Sequence, residues 1–219
     1  EAVAPYGACV DARGVLALAG RHGLPVSSAS ARDLVGYLAA SAASVGLPVG
    51  RCAARMGWMD GGCLIGRDWL GSGEPVRLLD DLALQQLADA YGTRGTWQGW
   101  LDEVVKPGEH CPGLWLAIYA AVGSLLLHPL GVSVCYGIDW SGETSRGKTT
   151  VQRVAASVYG EPSQHGGMRS WKVSPAGLEA HATTLRHLPV ILDDSKNARR
   201  AEDVATMVYM MTTGGGAVR

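Results

Sequence analysis

The run Gly142-Glu143-Thr144-Ser145-Arg146-Gly147-Lys148-Thr149 fills every fixed position of the phosphate-loop pattern G-x-x-x-x-G-K-S/T. Each fixed position has a physical job. The glycines allow backbone angles that turn successive N–H groups toward one phosphate; the Lys148 ammonium then reaches the β and γ oxygens, and the Thr149 hydroxyl coordinates Mg²⁺. Such a loop must open a helix, because free first-turn N–H groups and the positive end of the helix dipole complete the anion site. Residues 149–159 (TTVQRVAASVY) place Val151, Val154, Ala155 and Val158 on one face and stop at Gly160, which predicts that helix. Residues 131–138 (GVSVCYGI) predict a short buried strand over 132–138, leading into the loop.

A phosphate loop needs a second element, a hydrophobic strand ending in an acidic residue that holds the metal. Leu188-Pro189-Val190-Ile191-Leu192-Asp193-Asp194 fits. Asp193 is the expected Mg²⁺ partner, and Asp194 the candidate to orient or deprotonate an attacking water. Bound ATP and Mg²⁺ are therefore the expected cofactors, with Lys148 and Asp194 as the catalytic pair and Thr149 and Asp193 as the metal ligands.

Further upstream, Gly113 to Leu127 (GLWLAIYAAVGSLLL) is nearly all apolar and ends at His128-Pro129. A membrane span needs about 20 apolar residues, so the run is read as a buried helix, and no membrane role is expected. Before it, residues 1–30 are broken by Gly, Pro and Ser. Ser30 is placed to cap a helix over 32–44 that Gly46-Leu47-Pro48 stops, and residues 51–80, rich in Gly and Trp, predict short strands and turns. Further helices are expected over 82–91 and 96–105. The Pro107-Gly108 and Cys111-Pro112-Gly113 punctuation divides the chain into an α+β domain, 1–110, and a phosphate-loop domain, 111–219.

With 219 residues, 47% hydrophobic and 18% charged, the chain has ample material for a core and excludes a miniprotein or a wholly disordered polymer. A net charge of −1 gives no global electrostatic footprint for nucleic acid or an anionic membrane. The five cysteines are scattered, with no C-x-x-C pair, which fits free thiols in a reducing cytoplasm. The chain opens at Glu1 without a charged leader and apolar core.

The stretch Ser141-Gly142-Glu143-Thr144-Ser145-Arg146-Gly147-Lys148-Thr149-Thr150, continuing through Arg153-Val154-Ala155-Ala156-Ser157-Val158-Tyr159-Gly160-Glu161-Pro162, resembles the domain of unknown function 927 family. The resemblance extends to Gly57-Trp58, to Gly95 with Trp97 and Trp100, to Trp171, Gly177-Leu178-Glu179, and to Tyr209 with Gly214. It implies an α/β phosphate-loop NTPase of the RecA/AAA-like, helicase-like type, from bacteria, phage or mobile elements. The cofactor-binding set it implies runs through Gly142, Glu143, Thr144, Ser145, Arg146, Gly147, Lys148, Thr149 and Thr150. Nucleic acid as a partner, and a homo-oligomer of the full-length protein, follow from the resemblance and not from the composition. The family usually reads Asp-Glu where this chain reads Asp193-Asp194, a side chain shorter by one methylene.

The family pattern continues into further strands beyond Arg219. The expectation is thus a parallel sheet incomplete at its C-terminal side and a fragment inactive alone. Arg199, Arg200 and Arg219 are candidates to reach a neighbouring subunit's phosphate, though solvated arginines are the simpler reading. The tryptophans at 58, 69, 97, 100 and 171 are expected to pack rather than stack on bases. A nucleotide-dependent switch or assembly module that moves no nucleic acid is the alternative. A small-molecule kinase is disfavoured, because no arginine-rich lid follows the loop.

Overall fold

The computed structural model describes residues 3–45, 49–143, 145–198 and 200–213. The expected helix stop at Gly46-Leu47-Pro48, loop residue Thr144, Gly214 and the candidate arginines Arg199 and Arg219 lie outside them. The chain is α/β with small sheets. Short helices α1 (Tyr6–Val10) and α2 (Ala12–Arg21) open it, followed by α3 (Ala31–Ser44). The opening helices were hidden by the Gly and Pro around them, yet Asp11 caps α2 by accepting from Gly14 N at 2.9 Å. Ser30, expected to cap α3, bonds instead to Ser27.

The Gly-rich segment folds as expected into short strands. β1 (Arg51–Ala53) pairs in parallel with β5 (Val76–Leu78), and between them β2 (Gly57–Met59), β3 (Gly62–Ile65) and β4 (Asp68–Gly71) form an antiparallel meander. Helix α4 (Leu82–Ala88) follows, capped by Asp81; α5 (Trp97–Trp100), capped by Thr96, runs on as a π-helical turn to Val105.

The apolar run becomes α6 (Pro112–Leu126), with proline in its first turn and Leu114, Ala117, Ile118 and Ala121 buried. No helix of the described residues is long and apolar enough to cross a membrane.

Beyond α6 the expectation fails at one point. Residues 132–138 form no strand, and Val134 (68%), Tyr136 (45%) and Ile138 (37%) are exposed. The physical reason is pairing: a strand exists only through ladder bonds, and no strand of the described residues pairs with this segment. It is tethered by side chains, the Tyr136 hydroxyl donating to Ala120 O and the Cys135 thiol to Met211 O.

The remainder is a compact β-α-β arrangement flanked by helices. Helix α7 (Lys148–Ser157) packs on α6, and β6 (Met168–Ser170) pairs in parallel with β7 (Ile191–Asp193) across α8 (Pro175–Leu185); α9 (Ala201–Thr213) follows. Ser174 caps α8 by accepting from Gly177 N. The Gly166-Gly167 segment before β6 is a bonded turn in which Gly167 N donates to Glu161 O at 2.8 Å and Met168 N to Ser163 O.

Two hydrophobic clusters stand out among the described residues. The larger joins Met56, Leu64, Val76, Leu78, Leu84, Leu87 and Tyr91 to Leu185 and Leu188, so it draws on residues from both sides of position 110. Met56 and Leu64 are wholly buried, and truncating either to alanine would cost about 2–5 kcal/mol. The smaller holds Val105, Leu114, Ile118 and Val154, the contact of α6 with α7 that sets where the phosphate loop emerges.

Candidate functional site

The loop from Gly142 to Gly147 is held in left-handed backbone at three described positions: Gly142 (φ 132°), Ser145 (φ 62°) and Gly147 (φ 81°). Gly147 is the cap residue of α7, and no side chain of the described residues caps that helix. The first-turn N–H groups are therefore left for an external acceptor, at the positive end of the helix dipole. Glycine at 147 is needed because an L side chain is strained at this angle.

Lys148 is half-buried and turns back into the loop, donating to Gly142 O at 2.9 Å and to Glu143 O. These carbonyls hold the ammonium where an anion seated in the loop would take it over. Arg146 is exposed and clamps Glu143 through Nε at 3.1 Å and Nη2 at 2.8 Å, a surface pair that shapes the rim. Thr150 is exposed in the first turn of α7.

Helix α7 lies against β7 and brings the acidic residue to the loop. Thr149 Oγ1 donates to Asp193 Oδ1 at 3.3 Å, and Gln152 Nε2 fixes the strand by donating to Leu192 O at 2.9 Å. Gln164 Nε2 stands 3.5 Å from the other oxygen, Asp193 Oδ2. The spacing of Lys148 and Asp193 in the sequence gave no sign of Gln152 or Gln164; both are polar residues without a motif of their own.

Asp194 behaves differently from its neighbour. It is exposed, in left-handed backbone at φ 58°, and its Oδ2 accepts from Asn197 Nδ2 at 2.8 Å within the turn Ser195–Asn197. Arg200 is exposed just before α9.

The donor set fits a nucleotide phosphate with Mg²⁺: uncapped N–H groups, one committed ammonium, and a hydroxyl–carboxylate pair of hard oxygen ligands. Among the described residues no cluster of three or more His, Cys, Asp or Glu is placed to hold a metal unaided. Mg²⁺ of the usual kind keeps waters and phosphate oxygens alongside one or two protein groups, which Thr149 and Asp193 match.

Residues 10–219 match the family model described as Domain of unknown function (DUF927). The chain belongs to this family. The DUF927 chain also resembles a solved structure described as SCCmec type IV Cch, active helicase, with a TM-score of 0.69 at 20% identity, covering 95% of this chain and 41% of that one. At that identity the likeness is one of fold, and the DUF927 chain spans about two-fifths of the helicase chain. No curated protein matches it.

Proposed function

We propose that this chain is the nucleotide-binding part of a helicase-like ATPase of a replication or mobile-element system, RecA/AAA-like in its sheet, with ATP and Mg²⁺ as cofactors and nucleic acid as partner. The observation that carries the reading is the Thr149–Asp193 contact beside a left-handed, lysine-filled loop at an uncapped helix start. That combination supports a site in which metal ligands and phosphate donors would sit together, which a glycine-rich connector has no reason to provide. The fold shared with the active helicase supports the nucleic-acid part.

In this reading the backbone N–H groups of the loop and the first turn of α7 cradle the β-phosphate, and Lys148 leaves its two carbonyls to neutralise β and γ oxygens. Mg²⁺, when bound, neutralises phosphate charge and sets the leaving geometry. Thr149 and Asp193 would hold it, and Gln164 keeps Asp193 oriented. Asp194 would position water after giving up its bond to Asn197. Assembly into a homo-oligomer and work in the cytoplasm belong to the same proposal, as does the division into parts 1–110 and 111–219.

A switch that binds nucleotide without moving nucleic acid is the second reading, and the engagement of Asp194 by Asn197 favours it. ATPase rates of the full-length protein with and without single-stranded DNA separate the two. Stimulation by DNA supports the helicase-like reading; nucleotide binding with no turnover under either condition supports the switch.

A further inference from the structure

Away from the phosphate loop, and sharing no residue with it, lies a cavity of about 350 Å³ between β2, the end of α6 and the end of α8. Three arginines line it, Arg51, Arg55 and Arg186, with the rings of Trp58, His128 and His187; Asp60 is the one acidic residue lining it among the described residues. Its charge balance is positive in a chain whose net charge is −1. The volume lies in the range of small-ligand pockets.

The rings are set in advance. Trp58 and His128 stack with centroids 6.5 Å apart and planes 25° from parallel, and His128 sits 4.4 Å from His187. The Trp58 indole is pinned by donating from Nε1 to Leu125 O at 2.6 Å, and its backbone N–H donates to His187 Nδ1 at 3.0 Å. Accepting there, His187 carries its proton on Nε2, and burial together with His128, Arg186 and Arg55 pushes its pKa down to about 4. The histidine is thus a neutral ring with one free donor, and the positive charge comes from the arginines.

Those guanidinium groups are not engaged by carboxylates. Arg55 and Arg186 form no salt bridge among the described residues, and Arg55 Nη1 is buried without an acceptor. Arg51 donates to the backbone Asp60 O and lies 6.0 Å over the Trp69 ring. Arg186 is further held at φ 57°, a conformation costly for a residue with a side chain, where it ends α8 and turns toward β2.

Unpaired arginines beside a fixed, stacked platform of rings are the means by which proteins hold single strands: guanidinium on phosphate, ring face on base. We propose that this cavity holds one nucleotide unit of a single-stranded nucleic acid, its phosphate on Arg55 and Arg186 and its base against Trp58 and His128. The proposal names the nucleic-acid contact of the helicase-like reading and rests on that reading for its choice of a strand over a free mononucleotide, which shares the chemistry.

The test is fluorescence anisotropy of a labelled oligothymidylate with the full chain in the absence of ATP, with dTMP as the mononucleotide arm. Arg186→Gln, at an exposed position, should weaken binding about tenfold and lower the slope of log affinity against log salt by about 0.7, whereas Arg186→Lys restores most of the affinity. His128→Ala should weaken binding at least about fivefold and His128→Phe should keep it within about twofold, because only the ring face is required. Unchanged thermal melting establishes that each variant is folded. Lys148→Ala should leave oligothymidylate affinity unchanged.

Parent affinity in both Arg186→Gln and His128→Ala would overturn the site. So would equal weakening by Lys148→Ala, which would place the strand on the phosphate loop, and so would binding of dTMP without binding of the oligomer. Calorimetry with ATP on the same samples keeps the two readings apart: loss of ATP binding in the parent with oligomer binding intact sinks the ATPase reading alone, and the reverse sinks this one alone.

Discussion

The hydroxyl of Thr149 and the carboxylate of Asp193 meet at 3.3 Å, although one residue opens a helix and the other closes a strand 44 positions later. Their contact is the geometric condition for a shared metal. Asp193→Ala should abolish the Mg²⁺ dependence of ATP binding while leaving a weak, metal-independent component carried by the loop N–H groups. Titrations with ATP in Mg²⁺ and in EDTA check it. An Asp193→Ala protein that still gains affinity from Mg²⁺ would place the metal elsewhere.

Lys148 rests on the carbonyls of Gly142 and Glu143, so its charge is already inside the loop. Lys148→Ala should weaken ATP binding at least tenfold, about 1.4 kcal/mol. Equal affinity for the two forms by calorimetry would remove the lysine from the site.

For Asp194 the expected effect lies on turnover and not on binding. Asp194→Asn keeps the side-chain shape and its bond to Asn197 can re-form, so in the full-length protein ATP affinity should hold while hydrolysis falls at least about a hundredfold. Hydrolysis at the parent rate would assign the water-positioning group to another residue.

Acid should destabilise the fold through His181. Its ring is largely buried, its Nε2 has no partner among the described residues, and burial with the nearby Arg169 pushes its pKa from 6.5 down to about 4. The unfolded chain takes up a proton between those two values that the folded chain refuses. The histidine's contribution is therefore fully present above pH 6.5 and is lost as pH falls toward 4, at up to about 1.4 kcal/mol per pH unit. Urea unfolding at pH 7 and pH 5 should show a smaller loss in His181→Leu than in the parent; an equal loss contradicts the assignment.

Gly57 stands at φ 90°, and a Cβ there would lie 2.7 Å from His187 Nδ1. Gly57→Ala should destabilise by about 2 kcal/mol or more, through backbone strain and displacement of the histidine from the Trp58 amide. Thermal unfolding measures it, and a melting temperature within error of the parent would show that the ring yields freely.

The phosphate-loop motif of this chain is legible in the sequence because its residues are local. Gly147, Lys148 and Thr149 are adjacent, their helix has a clear apolar face, and Asp193 ends an apolar run, so pattern and spacing alone named the residues that meet. Strand 132–138 was misread because an apolar run between glycines states a preference, whereas a strand also needs a neighbour that no local pattern names. Helix α2 lies in a stretch that reads as broken by Gly, Pro and Ser, and its cap at Asp11 is a single polar residue with no pattern around it to mark a helix start. The cavity around His187 was out of reach altogether. Arg55, His128 and Arg186 come from three distant stretches, and the sequence marks His128 only as the end of an apolar run and Trp58 only as a packing residue.

The amide of Trp58 and the ring of His187 are separated by 129 residues, and Met56 and Leu64 share their core with Leu185 and Leu188. The order of synthesis then matters. A ribosome that has released the first half of the chain has released the meander β2–β4 without the side chains that cover it, and closing so long a loop is slow. Until Leu185 and Leu188 emerge, Met56 and Leu64 have only the part of their cluster that comes from Val76 to Tyr91, and the rest of their cover arrives with α8. Translation speed across residues 92 to 188 sets how long that interval lasts.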